Sequence, residues 1–88
     1  MKDRSLVTRV VHDLVAFGMI PLIFGGWATE LLGLEPARSH RDIDLLVIAP
    51  AEVVDAFIAS RNEVIEKRLS HKRAFIEAGV LVELNIAT

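Results

Sequence analysis

The 88-residue sequence has no cysteine, a single tryptophan and no long uninterrupted apolar run. Without cysteine there is no disulfide framework and no thiolate metal site. The longest apolar candidate, Ile43 to Val54, is broken by Asp44, Pro50 and Glu52. It falls short of the roughly 18 to 20 residues that a membrane-spanning helix needs. An excess of positive charge is also lacking: 10 lysines and arginines face 12 acids, for a formal charge of −2. Proteins that grip a nucleic-acid backbone usually carry a basic excess, so a long DNA or RNA is not the expected partner. The opening Met1-Lys2-Asp3-Arg4 carries an acid and runs directly into an amphipathic pattern, unlike a signal peptide. Neither a His-Glu-x-x-His motif nor a Ser/His/Asp order offers another chemistry. These absences leave one cytoplasmic domain, residues 1–88, as the expectation, with no membrane partner.

What is present is patterned. From Ser5 to Phe17, Leu6/Val10/Leu14 and Val7/Val11/Val15 recur at spacing four and predict a helix, with Ser5 as N-cap and Gly18 past its end. Met19 to Phe24 has strand length, and Pro21 restricts it to a strand start or a sheet edge. Trp27 to Leu32 reads as a short helix closed by Gly33, and Leu34 to Arg41 as a loop. Ile43 to Ile48 is a branched-residue strand. Pro50 suits the first position of a helix reaching about Ser60. Glu63 to Leu69 and Lys72 to Glu77 read as strands joined near Ser70-His71, and Ala78-Gly79 turns into a last strand from Val80 to Ile86. The predicted fold class is α/β (α+β): a mixed sheet with helices packed against it and an antiparallel tail.

The residues able to do chemistry fall at the joints of this pattern. Gly25 and Gly26 end a strand and precede a helix, where glycine lets backbone amides approach a phosphate. An ordinary tight turn would use the same residues. Separated from Gly26 by fifteen residues, Asp42 and Asp44 share one face of a strand, while Ile43, Leu45 and Val47 take the other. Two such carboxylates repel unless a cation lies between them. Mg²⁺ suits them, since it is commonly held by one or two carboxylates plus substrate phosphates; a solvated acid pair is the alternative. Glu83 lies in an otherwise apolar strand, either as an exposed strand acid or as a third ligand, because burying it unpaired would be costly. Arg38 and His40 precede the acids and can meet phosphate oxygens, Arg38 equally as a solvated charge. Trp27 reads as packing, and His12 and His71 as structural. Lys67, Arg68, Lys72 and Arg73 form a basic hairpin, a solvated face or a means of neutralising a triphosphate.

Gly25-Gly26-Trp27-Ala28 followed by Arg38-x-His40-x-Asp42-Ile43-Asp44 resembles the polymerase-β-type nucleotidyltransferase superfamily. The resemblance is to the small bacterial branch that includes aminoglycoside 2″-adenylyltransferases, and it runs from about Ile20 to Asn85. It implies a nucleotidyltransferase-like minimal core that binds ATP with Mg²⁺ (or Mn²⁺). Such a core transfers a nucleoside monophosphate to a hydroxyl of a small-molecule acceptor, aminoglycoside-like in that branch, and releases pyrophosphate. Asp42, Asp44 and Glu83 match the catalytic metal ligands, and Gly25 and Gly26 the phosphate-binding turn, with Arg38 and His40 beside the nucleotide. The third acid is commonly Asp in that family and is Glu here. Those adenylyltransferases also continue past the third acid into structure that helps hold the acceptor, so nucleotide binding is the better-founded expectation.

Three further expectations follow. A non-catalytic module of this fold, such as the antitoxin-like partner of a toxin, is the alternative to an enzyme. Replacing Glu83 by Gln should stabilise the metal-free protein by relieving repulsion among three acids. With 52% hydrophobic residues in a small domain, a homodimer or partner chain is expected, contacted by the first helix or the terminal strand.

Overall fold

The computed structural model describes residues 2–23 and 42–87. Two helices among these residues pack against a five-stranded mixed sheet, an α+β arrangement. Helix α1 (Lys2–Ala16) leads into strand β1 (Ile20–Ile23). After the intervening segment come β2 (Asp42–Ile48), helix α2 (Ala51–Ile58) and the two-residue strand β3 (Asn62–Glu63). A 3₁₀ turn (Ile65–Lys67), β4 (Lys72–Glu77) and β5 (Val80–Ala87) complete the described chain. The Gly25-Gly26 turn, the Trp27 helix and the loop with Arg38 and His40 lie outside the described residues. No helix among the described residues is long and apolar enough to cross a membrane.

The spatial order is β1-β2-β5-β4-β3, with β2 and β5 parallel and every other pair antiparallel. Among the described residues Pro21 accordingly sits on an edge strand. The terminal strand β5 lies between β2 and β4, so both its edges are already paired. It cannot extend the sheet into a second copy through its edges.

One face of the sheet carries the core. Leu6, Val10 and Leu14 of α1 and Val54, Phe57 and Ile58 of α2 join Ile43, Leu45, Val47, Phe75, Val82, Leu84 and Ile86 in a single buried cluster. Each fully buried large side chain of this kind contributes about 1.5–3 kcal/mol. Phe57 packs edge-on against Phe17 and Phe75, with centroids 5.6 and 5.8 Å away. The second apolar row of α1 diverges from the core: Val7 is buried, Val11 half-buried and Val15 55% exposed.

Three boundaries differ from the sequence reading. Helix α1 already includes Lys2, so Ser5 lies inside its first turns and is not the N-cap. Gly18 takes the left-handed position after the helix, with φ 95°. Pro50 is itself the N-cap in extended conformation, and α2 runs only to Ile58. The predicted strand Glu63 to Leu69 is absent apart from its first residue. Asn62 and Glu63 pair with Ile76 and Phe75, and the Val64 N–H still donates to the Ala74 carbonyl at 2.8 Å. The chain then leaves the sheet, because the adjacent apolar pair Val64-Ile65 breaks the two-residue period and three charges follow. Ile65 is 63% exposed as a result.

Candidate metal centre

The face of the sheet away from the helices carries the acids. Alternation along β2 buries Ile43, Leu45 and Val47 under the helices and turns Asp42 and Asp44 to the opposite side. In β5 the same alternation separates buried Val82, Leu84 and Ile86 from Leu81, Glu83 and Asn85. The parallel register sets Asp44 directly beside Glu83, with Asp42 beside Leu81. Adjacent strands lie about 4.8 Å apart, so this register brings the carboxylates together. Asp42, Asp44 and Glu83 each offer an oxygen within 4.8 Å of the others. Their burial is graded: Asp42 is exposed, Asp44 half-buried and Glu83 7% exposed.

Two lysines complete the local charge balance. Lys72 Nζ lies 2.6 Å from Glu83 Oε2, and Lys67 Nζ lies 3.7 Å from the same atom. Both contacts are ion pairs; among the described residues no donor makes a well-aligned hydrogen bond to that buried oxygen. Asn85, next on the acid face, donates instead to the Leu45 carbonyl at 3.2 Å. Arg68 and Arg73 turn elsewhere. Arg68 reaches Glu63 at 2.8 Å and Asp55 at 3.1 Å, while Arg73 reaches Asp55 at 2.7 Å.

These contacts pull the acids' affinities for protons apart. Burial, then the charges of Glu83 and Asp42, raise the Asp44 pKa above its ordinary value. The contact with Lys72 holds Glu83 below its ordinary value despite burial, with the Lys72 and Lys67 charges adding to it. Lys72 is raised in turn by Glu83. Glu83 is therefore the firmly ionised member, and Asp44 bears most of the repulsion. The Lys72 contact works against the repulsion on which the expected gain from Glu83→Gln rests.

Of the seven candidate site residues, Asp42, Asp44 and Glu83 come together; Gly25, Gly26, Arg38 and His40 lie outside the described residues. The Lys72–Glu83 pair was missed, although the sequence holds a signal for it. A two-residue turn at Ala78-Gly79 pairs Glu77 with Val80, and counting back sets Ala74 opposite Glu83. Lys72 then lies on the same face, two positions along, a diagonal that a long side chain can span.

A cluster of hard oxygen donors, one of them buried and only ion-paired, fits a small divalent cation such as Mg²⁺ or Mn²⁺. No protein-family model and no curated protein matches this chain.

Proposed function

We propose that the chain is an Mg²⁺-dependent nucleotidyltransferase that moves a nucleoside monophosphate, AMP from ATP, onto a hydroxyl of a small-molecule acceptor of aminoglycoside-like character. The observation that carries this reading is the register Asp44 beside Glu83, which gathers three carboxylates within 4.8 Å on the sheet face opposite the helices. Asp42 and Asp44 would hold the cation, with Glu83 as third ligand. When bound, Mg²⁺ would offset the charge of the triphosphate and of the leaving pyrophosphate. The acceptor oxygen forms its bond to the α-phosphorus as the bond to the bridging oxygen breaks. The hydroxyl proton would pass to a carboxylate of the cluster. Gly25, Gly26, Arg38 and His40 are assigned to the nucleotide by the sequence pattern alone.

Calorimetry with ATP and Mg²⁺ or Mn²⁺ tests the site. Binding should be weakened by chelation and by Asp42→Asn or Asp44→Asn, and equal affinity in all three proteins would overturn it. Pyrophosphate release from ATP in the presence of a panel of hydroxylated acceptors tests the reaction.

One observation favours a second reading, a non-catalytic module of the same fold. Lys72, 2.6 Å from Glu83, balances the buried acid without any metal. ATP and metal binding with no pyrophosphate release for any acceptor would favour it.

Self-association belongs to the same proposal. Val11, Val15 and Ile23 line an apolar groove of about 520 Å³ between α1 and β1, and a second copy is its proposed occupant. Light scattering should give a dimer at tens of micromolar that Val15→Glu dissociates. A wild-type monomer would remove the dimer from the proposal.

A further inference from the structure

We infer that Lys72 is the resident counter-cation of the acid cluster: its ammonium holds Glu83 in the metal-free protein and gives way when a divalent cation takes that carboxylate. This rests on reading Asp42, Asp44 and Glu83 as a divalent-cation site.

Three carboxylates with oxygens inside 4.8 Å repel one another at a partly buried site, and positive charge nearby offsets that repulsion. The chain supplies that charge from two places, Lys72 on β4 and Lys67 in the 3₁₀ turn, and both converge on one oxygen, Glu83 Oε2. The basic hairpin thus divides its labour. Its two arginines are committed to Asp55 and Glu63, and its two lysines serve the acids.

Residue type matters here. A guanidinium would grip Glu83 through two parallel hydrogen bonds, whereas an ammonium is a compact point charge on a flexible stem. The nearest approach of Lys72 to Glu83 is one ammonium on one oxygen, Oε2, at 2.6 Å, and its flexible stem lets that ammonium swing away. A divalent cation bonded to either oxygen of Glu83 would stand within a few ångström of the Lys72 ammonium, itself 2.6 Å from Oε2, so the two cations would repel. Metal entry is therefore an exchange. Lys72 balances the charge of the cluster before metal enters, and it lowers the cluster's affinity for metal.

The test is calorimetric titration with Mn²⁺ at pH 8, together with thermal unfolding with and without Mn²⁺. Lys72→Met should bind Mn²⁺ on the order of ten-fold more tightly than wild type. Its metal-free melting temperature should fall, and Mn²⁺ should raise it by more than it raises that of wild type. Lys72→Arg keeps the charge and should bind no more tightly than wild type. Equal or weaker Mn²⁺ binding by Lys72→Met would make Lys72 an ordinary structural partner and overturn the inference alone. Failure of both wild type and Lys72→Met to bind Mn²⁺ would overturn it together with the cation site. Should Lys72→Met not fold without metal, Lys67→Met decides: removing the second ammonium should tighten Mn²⁺ binding about two-fold, and no gain would overturn the inference.

Discussion

Glu83 and Asp44 are neighbours across a parallel ladder, yet neutralising them should have opposite effects on the metal-free protein. Glu83 is buried and meets Lys72 at 2.6 Å. Glu83→Gln removes a charge-assisted contact and leaves an ammonium beside a neutral amide, at a cost of about 1–2 kcal/mol. Asp44 has no lysine at that distance and faces two other carboxylates. Asp44→Asn should raise metal-free stability by about 0.5 kcal/mol. Urea denaturation at neutral pH without metal checks the pair: the midpoint should fall for Glu83→Gln and rise for Asp44→Asn. With saturating Mn²⁺ both variants should fall below wild type, because each loses a ligand. A rise for both in the metal-free state would mean that repulsion outweighs the Lys72 contact.

At the scale of elements, the β4–β5 hairpin fixes where Glu83 stands, and its turn holds an unfavourable residue. Ala78 and Gly79 both have positive φ, 52° and 77°. That is the conformation of a two-residue hairpin turn, in which Asn or Asp commonly precedes Gly. Alanine in the left-handed region costs about 1 kcal/mol, and open space surrounds the neighbouring Gly79. Ala78→Asn should therefore stabilise the protein by about 0.5–1 kcal/mol without moving the acids, as a higher urea midpoint with unchanged slope. The turn was legible because Gly79 follows a period-two segment and precedes another. The alternation of β2 was equally legible, since Asp42 and Asp44 interrupt Ile43, Leu45 and Val47 at every second position. The end of β3 was not. Val64, Ile65 and Leu69 are apolar enough to suggest a strand, but Leu69 is needed for the bridge to Lys72 that closes the tight loop. The chain reaches that bridge through a 3₁₀ turn, which also brings Lys67 to Glu83. Which strands are adjacent was open in the sequence too: the parallel β2–β5 pairing is what brings the Asp42/Asp44 pair and the distant Glu83 into one place.

For the molecule as a whole, ion pairs join the helix layer to the sheet beneath it. Arg9 of α1 and Arg61 after α2 both reach Glu77 on β4, at 3.3 and 2.7 Å. Arg73 of β4 rises to Asp55 of α2 and also donates to the Leu69 and Lys72 carbonyls. Arg73 is 7% exposed, so its charge depends on Asp55, a carboxylate that itself remains open to solvent. The hydrogen bond from Arg73, with the nearby Arg73 and Arg68 charges, holds Asp55 below its ordinary pKa of 3.8. A carboxylate with a depressed folded-state pKa favours the folded state above its unfolded value. That contribution is lost as pH falls through the folded value. The Arg73–Asp55 pair should therefore contribute fully at pH 7 and fade below about pH 4. Asp55→Asn leaves Arg73 buried with only its two carbonyl partners, and should cost about 1–2 kcal/mol at pH 7 after allowance for the exposure of Asp55. Urea midpoints for wild type and Asp55→Asn, followed from pH 7 to pH 2, should converge as the wild-type carboxylate takes up its proton. A gap that is absent at pH 7, or that widens in acid, would mean that the Arg73–Asp55 pair adds nothing to the hold of α2 on the sheet.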